Sequence, residues 1–325
     1  MMTKPESFLR FAEAHGMFPR GCSVLCAVSG GADSMALLTI LDAMEKEGGI
    51  RLCAAHFEHG LRGEEALRDA AFVQTQCRMR GIPCVVGHGD VRNYADEKHL
   101  GLEEAARLLR YRFLGETADR LDCGRIATAH TADDNAETLV MNLIRGSGTR
   151  GLAGIPPVRG RLVRPLLQTS REEILSFLRE NGVPYVEDSS NRELLFTRNR
   201  VRSQIIPLLK EENPSFLRAA ARTAELLRGD ERFLCGLAED FLRENLVTTE
   251  KGRCLPSKKL QLLEVPVAAR VLRLLCGSGL SMERTEALLR FAKGTEKGVL
   301  ELPGRCVRRE KGMLIFPADE ENAEG

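Results

Sequence analysis

Residues 29–34 read Ser-Gly-Gly-Ala-Asp-Ser and stand directly behind the apolar run 22–28. Two glycines let backbone N–H groups approach an anion, and the helical pattern that follows adds the positive end of a helix dipole. That is chemistry for phosphate. The loop contains no lysine, and no G-x-x-x-x-G-K-[ST] occurs in the chain, so it is not a Walker loop. The candidate nucleotide contacts are Ser29, Gly30, Gly31, Ala32, Asp33 and Ser34. An ordinary glycine turn would account for Gly30 and Gly31, but not for Ser29, Asp33 and Ser34 together. A second cluster runs from His130 through Thr131, Ala132, Asp133, Asp134, Asn135 and Ala136 to Glu137. Carboxylates are favoured at a helix start, and Asp134 and Glu137, three apart, can share one face. Lone Asp-Asp pairs are common caps. A His, two Asp and a Glu opposite a phosphate loop suit a divalent cation and a cationic substrate instead. Mg²⁺ takes one or two carboxylates plus phosphate oxygens. Asp33 with Asp133 or Asp134 would supply them, leaving Glu137 free to hold an ammonium group.

Two arginine-rich stretches flank these clusters. Arg145, Arg150, Arg159, Arg161 and Arg164 fall in twenty residues without an acid, beginning in the glycine-rich Gly146-Ser147-Gly148. A one-signed flexible stretch beside a site suits contact with a phosphate backbone. Further on, Arg198, Arg200 and Arg202 alternate. On an extended segment they would share a face; on a helix they would spread around it.

These residues need a scaffold. Strand-like runs at 24–28, 52–56, 83–86 and 125–129 alternate with helical patterns at 34–47, 64–80, 102–120 and 133–145. Continuous apolar strands joined by helices predict a parallel sheet covered on both faces, with ligands at the carboxyl ends of its strands. Ser29, His56 and His130 are all expected just past such ends. After Pro207 the character changes to a long Leu/Ala/Arg helical pattern at 216–245, two shorter ones at 265–275 and 281–291, and a hairpin at 299–302, 305–307 and 313–316. The expected fold is therefore α/β: a Rossmann-like parallel-sheet domain over 1–212, a smaller, mainly helical accessory domain ending in a β-hairpin over 213–318, and a disordered acidic tail over 319–325, with the boundary near 211–214.

The bulk composition adds exclusions. The chain has 325 residues, 43% hydrophobic and 29% charged, with a formal net charge of +1, so overall charge does not point to nucleic acid. No run approaches the ~18 apolar residues of a membrane span, and 1–20 has no apolar signal core. The ten cysteines include no C-x-x-C pair, and Cys22, Cys26, Cys53 and Cys84 sit in apolar runs, so a cytoplasmic location without a metal or disulfide framework is expected.

The loop at 29–34 resembles the PP-loop of the N-type ATP pyrophosphatases, which grips the β and γ phosphates together while AMP goes to the acceptor. Within that superfamily the chain resembles the tRNA(Ile)-lysidine synthases. The likeness is carried by His56-Phe57-Glu58-His59-Gly60-Leu61-Arg62, by Leu102-Glu103-Glu104-Ala105-Ala106-Arg107 with Arg110-Tyr111, and by 130–138. It continues in Arg145-Gly146-Ser147-Gly148-Thr149-Arg150-Gly151-Leu152-Ala153-Gly154, Arg164-Pro165-Leu166-Leu167 and Glu187-Asp188-Ser189-Ser190-Asn191 through Arg202. The resemblance implies an ATP-dependent ligase, with Mg²⁺, that adenylates the C2 oxygen of the wobble cytidine of the CAU-anticodon isoleucine tRNA. An amine of L-lysine then displaces AMP. It casts Asp33, His130, Asp134 and Glu137 as catalytic, and Asp33, Asp133 and Asp134 as metal ligands. Asp134 and Glu137 would hold the lysine ammonium groups, and Arg107 or Arg112 its carboxylate. Arg145, Arg150, Arg198, Arg200 and Arg202 would meet the tRNA. Self-pairing arginines, bridged to Glu103 and Glu104, are the bland alternative for Arg107 and Arg110. Longer family members carry a further C-terminal domain that helps hold the tRNA, and this chain is expected to stop after the first accessory domain. A homodimer is compatible with the sequence; a membrane partner is not expected. Rival readings are a PP-loop tRNA thiolase, for which Cys123 is the only cysteine near the expected site, and a non-catalytic nucleotide-binding module.

Overall fold

In the computed structural model the described residues are 6–60, 64–187, 197–277, 280–294, 296–303 and 305–317. The Leu61 and Arg62 positions, the 188–191 stretch, the Gly304 turn and the acidic tail lie outside them.

The chain forms two compact units, Met1–Glu225 and Leu226–Gly325. In the first, helix α1 (Glu6–Ala14) precedes a regular alternation: β1 (Cys22–Ala27), α2 (Ala32–Lys46), β2 (Ile50–Glu58), α3 (Glu64–Arg80) and β3 (Cys84–His88). Next come α4 (Val91–Lys98), α5 (Leu102–Arg120), β4 (Arg125–Ala127), α6 (Ala132–Ile144), α7 (Thr149–Leu152), a hairpin of β5 (Val158–Arg159) and β6 (Leu162–Val163), and α8 (Arg171–Glu180). The sheet order is β3-β2-β1-β4-β6-β5. All pairs are parallel except β5 with β6. Val24, Leu25 and Cys26 of β1 are buried on both faces, which is why the strand reads as an unbroken apolar run. Its upper-face partners include Met35, Leu38 and Leu41 of α2; Leu25 packs with Leu114 and Ala118 of α5 on the other side.

Beyond α8 lie α9 (Thr197–Arg200), a wider turn of helix at Val201–Ile205, α10 (Ile206–Glu212) and α11 (Phe216–Asn245). The division between the units falls inside α11, later than the 211–214 boundary expected from composition. The reason is packing: Phe216, Leu217 and Ala220 join Ala136, Val140, Val201 and Ile206 in one apolar cluster, so the first turns of α11 belong with the α/β unit.

The second unit holds α12 (Ser257–Leu260), α13 (Val265–Cys276) and α14 (Met282–Lys293) against a sheet. The expected hairpin strands are present as β9 (Gly298–Leu302), β10 (Arg305–Glu310) and β11 (Met313–Phe316). They are part of a larger five-stranded sheet in the order β7-β8-β11-β10-β9, with β7 (Val247–Thr249) and β8 (Gly252–Pro256) supplied by a segment that sequence patterning passes over. Those strands are short, and Gly252, at φ +113, interrupts their period. Leu255, Val271, Leu288, Val307 and Leu314 form the core of this unit. Among the described residues no helix is long and apolar enough to cross a membrane.

Candidate active site

The site gathers at the carboxyl ends of β1 and β4. The 29–34 loop leaves β1 and turns tightly into α2. Gly30 sits at φ +93, where any other residue's backbone would be strained. Ser34, 5% exposed, closes the turn: its Oγ accepts the N–H groups of Ser29 at 3.1 Å and Gly30 at 3.2 Å and donates to the Gly31 carbonyl at 2.9 Å. Two loop N–H groups thus converge on one oxygen, the arrangement an anion would use. The Val186 N–H donates to the Gly30 carbonyl at 2.9 Å, which lays the start of the Glu187 stretch against the loop.

His56 departs from expectation. It lies inside β2 rather than past its end, because the strand runs on to Glu58. Its Nδ1 meets the Val28 carbonyl at 2.8 Å. A carbonyl only accepts, so Nδ1 carries the proton and His56 pins the backbone immediately before the phosphate loop. Burial lowers its pKa.

Helix α6 carries the second cluster. Thr131 is its N-cap, in a reciprocal box with Asp134: Oδ2 of Asp134 accepts the Thr131 N–H at 2.9 Å, and Thr131 Oγ1 accepts the Asp134 N–H at 3.2 Å. That leaves Asp134 Oδ1 pointing outward, where it meets Arg198 at 2.9 Å and Arg202 at 3.2 Å. Glu137, one turn on and only 1% exposed, accepts from Arg198 Nε at 2.8 Å and Arg202 Nε at 2.5 Å. Glu137 is therefore not free, as sequence reasoning had it. Arg198 and Arg202 are four apart on a continuous helical path through Val201, so both reach the same pair of carboxylates. Arg200, between them, is exposed and reaches Thr197 Oγ1 at 3.3 Å.

Asp133 faces the other way. Its Oδ2 accepts the Arg171 N–H at 2.8 Å and its Oδ1 meets Lys210 Nζ at 3.1 Å. The Arg171 guanidinium meets Asp33 Oδ2 at 3.1 Å, and Asp33 Oδ1 is buried without a partner. Four carboxylates (Asp33, Asp133, Asp134, Glu137) thus face four cations (Arg171, Lys210, Arg198, Arg202) in a balanced cluster. Sequence reasoning missed Arg171 and Lys210: neither belongs to a motif or a run of basic residues, and only folding brings them in.

The protonation states follow from this setting. Burial raises Asp33 to about 6, against the lowering pull of Arg171, with Asp134 adding to the rise. Asp134 stays below the usual carboxylate range because Arg198, the Thr131 N–H and Arg202 together outweigh its burial. His130 is driven down chiefly by burial, aided by Arg164, Arg110 and Arg198, and is neutral at physiological pH; its Nδ1 lies 3.0 Å from Thr128 Oγ1.

The remaining predicted residues divide. Arg107 and Arg110 lie over the Tyr111 ring, at 5.0 and 5.5 Å from its centroid, rather than bridging Glu103 and Glu104. Arg112 turns to Tyr94, over its ring and 3.2 Å from its hydroxyl, and is not brought to Asp134 and Glu137. Arg145 and Arg150 are exposed beside the glycine-rich turn. The last glycine of that stretch, Gly154, is at φ +67 against Asn135, whose Oδ1 accepts the Ile155 N–H at 2.8 Å.

A family model described as a PP-loop domain matches residues 7–209. Curated relatives named tRNA(Ile)-lysidine synthase are similar over most of the chain: that of Geobacillus kaustophilus is 35% identical, covering 97% of this chain and 70% of its own length. The chain belongs to the tRNA(Ile)-lysidine synthase family. The family member of Geobacter sulfurreducens is 42% identical over 74% of this chain and 52% of its own length, and that of Bacillus subtilis 35% identical over 92% and 66%. For the latter two, the matched part is less than two thirds of the relative. Among solved structures, the U34-tRNA thiolase NcsA of Methanococcus maripaludis shares the fold, with a TM-score of 0.59 at 19% identity over 69% of this chain and 79% of that one.

Proposed function

We propose that this family member forms lysidine: it uses ATP to adenylate the C2 oxygen of the wobble cytidine in the CAU-anticodon isoleucine tRNA, then lets an amine of L-lysine displace AMP. The observation that carries the reading is the pair Asp134 and Glu137, held on one face of α6 opposite the phosphate loop. A poor electrophile needs its oxygen turned into a leaving group, and a dicationic amine needs carboxylates to seat it.

In the first step the C2 oxygen attacks the α-phosphorus of ATP and pyrophosphate leaves. The loop amides of 29–34 would take up the departing charge, with Arg171 at hand beside Asp33. In the second step the amine attacks C2, the bond to the adenylate oxygen breaks, and AMP departs. An ammonium group of lysine would replace an arginine against Asp134 or Glu137 with no change in net charge. The nucleophilic nitrogen must lose a proton. A carboxylate of the cluster or His130, which burial makes a weak base, would take it.

Mg²⁺ fits the donor set. Asp33 Oδ1 is a buried carboxylate oxygen without a partner next to the phosphate loop, and Asp133 and Asp134 are the further candidates. When bound, the ion neutralises phosphate charge. The exposed arginines at 145, 150 and 200 are candidate tRNA contacts. Arg198 and Arg202, proposed as tRNA contacts too, would have to leave their carboxylates first.

The thiolase alternative loses support at Cys123. Its thiol is buried and pushed up to about 11, chiefly by that burial, which disfavours the thiolate sulfur transfer requires. The test is incubation of the chain with ATP, lysine and isoleucine tRNA transcript, then nucleoside mass analysis. Lysidine is expected from the wild type and none from Asp33→Ala. Lysidine at the normal rate from Asp33→Ala would refute the loop assignment, and its absence from the wild type would refute the reaction.

A further inference from the structure

A cavity of about 400 Å³ lies between α5 and the β4–β6–β5 edge of the first sheet, outside the carboxylate cluster. Arg107 and Tyr111 of α5 form one wall, Arg159, Arg161 and Arg164 of the hairpin the other, and Ile126 lies in the apolar lining. Its charge is not balanced from within. Among the described residues the one acid that reaches these guanidiniums is Asp119, 2.6 Å from Arg161. Arg164 is 3% exposed and donates to the Pro156 carbonyl at 2.7 Å; its other neighbour is the Tyr111 hydroxyl, and among the described residues no carboxylate pairs with it.

A buried guanidinium without a carboxylate to neutralise it is costly, and an oxyanion would relieve it. The lining says which kind. Tyr111 stacked with Arg107, whose guanidinium face is exposed, offers a flat surface over apolar side chains. Arginine planes, aromatic rings and phosphate-binding cations are the means by which proteins hold unpaired RNA nucleotides. The volume is that of a small-ligand site. The location also fits: Thr128, whose Oγ1 lies 3.0 Å from His130 Nδ1, donates its N–H at 3.0 Å to the carbonyl of Val163, the residue before Arg164.

We infer that this cavity is a nucleotide subsite, seating a nucleotide of the RNA next to the one that reacts, with its phosphodiester on Arg159 and Arg164 and its base against the Arg107–Tyr111 stack. The inference deepens the RNA-modifying reading and rests on it. It gives the hairpin arginines a use that the carboxylate cluster does not.

The test uses the full chain, a fluorescent CAU-anticodon stem-loop and Arg159→Ala. Arg159 is exposed and makes no ion pair among the described residues, so the variant should keep the wild-type melting temperature. Stem-loop affinity is expected to fall about 5–10-fold, the slope of log affinity against log salt to flatten by about 0.7–0.9, and KM for lysine to stay unchanged. Arg159→Glu should weaken binding further. Unchanged RNA affinity and salt slope in both variants would overturn the subsite. A rise in KM for lysine with unchanged RNA affinity would also overturn it, assigning the cavity to the amino-acid carboxylate. Lysidine formation by the wild type is scored separately: salt-sensitive stem-loop binding through Arg159 without lysidine would sink the parent reading and leave the subsite standing.

Discussion

Replacing Gly154 with alanine should destabilise the first unit far more than the same change at Gly160. Both glycines have left-handed backbones, φ +67 and φ +58. An alanine there costs about 1–2 kcal/mol in backbone strain alone. At Gly160 nothing lies within 4 Å of the added carbon, so strain is the whole cost. At Gly154 the new Cβ would stand 2.3 Å from Asn135 Oδ1. Asn135 is 1% exposed and cannot swing away without giving up the bond it accepts from the Ile155 N–H. A lost buried hydrogen bond costs about 1–3 kcal/mol and overpacking a similar amount, which brings Gly154→Ala to about 3–8 kcal/mol. For a unit of this size that is a fall in melting temperature of about 6–32 °C, against about 2–8 °C for Gly160→Ala. Thermal unfolding followed by circular dichroism on both variants measures the difference directly. Melting of Gly154→Ala within about 2 °C of Gly160→Ala would refute the claim that Asn135 fixes this glycine.

Other outcomes follow from the same contacts. In metal-free buffer Asp33→Asn should be stabilising at pH 7.5. The folded state holds the Asp33 proton up to about 6 while the unfolded chain releases it near 3.8, so stability falls as pH rises through that window, by about 1–3 kcal/mol; the advantage of the variant should vanish below about pH 4, and a variant less stable than wild type at pH 7.5 would contradict it. Glu137→Gln should raise KM for lysine about 10–100-fold, the worth of a charge-assisted contact, with KM for ATP changed less than about threefold; equal rises in both would move Glu137 out of the amine site. Arg112→Ala should leave both within about twofold, because Arg112 is engaged with Tyr94. Cys123→Ser should leave lysidine formation intact, and its loss would reopen the thiolase reading.

Much of the α/β unit was legible from local pattern. The strands of a parallel sheet are buried on both faces, so Val24–Cys26 had to be a continuous apolar run, and α3 and α5 emerge with the bounds their patterns predict. The phosphate loop was legible for a similar reason: the glycine at φ +93, Ser34 and Asp33 act within six residues. The hairpin β5–β6 and the strands β7 and β8 were not. Runs of two to five residues carry too little period to be told from loop, and it is pairing with distant strands that makes them strands.

The site divides in the same way. Residue types and spacing determined that 29–34 is a tight loop suited to phosphate and that Asp134 and Glu137 share a helix face, because both are consequences of local geometry. Only the tertiary structure decided what those carboxylates meet. Arg198 and Arg202 stand more than sixty residues away and alternate in sequence, and a helical turn at Thr197–Ile205 converts that spacing into a double clamp on Glu137. Arg171 reaches Asp33 across 138 residues. Charge pairing over such separations depends on which helices the core brings together, and a sequence read one window at a time contains no term for that.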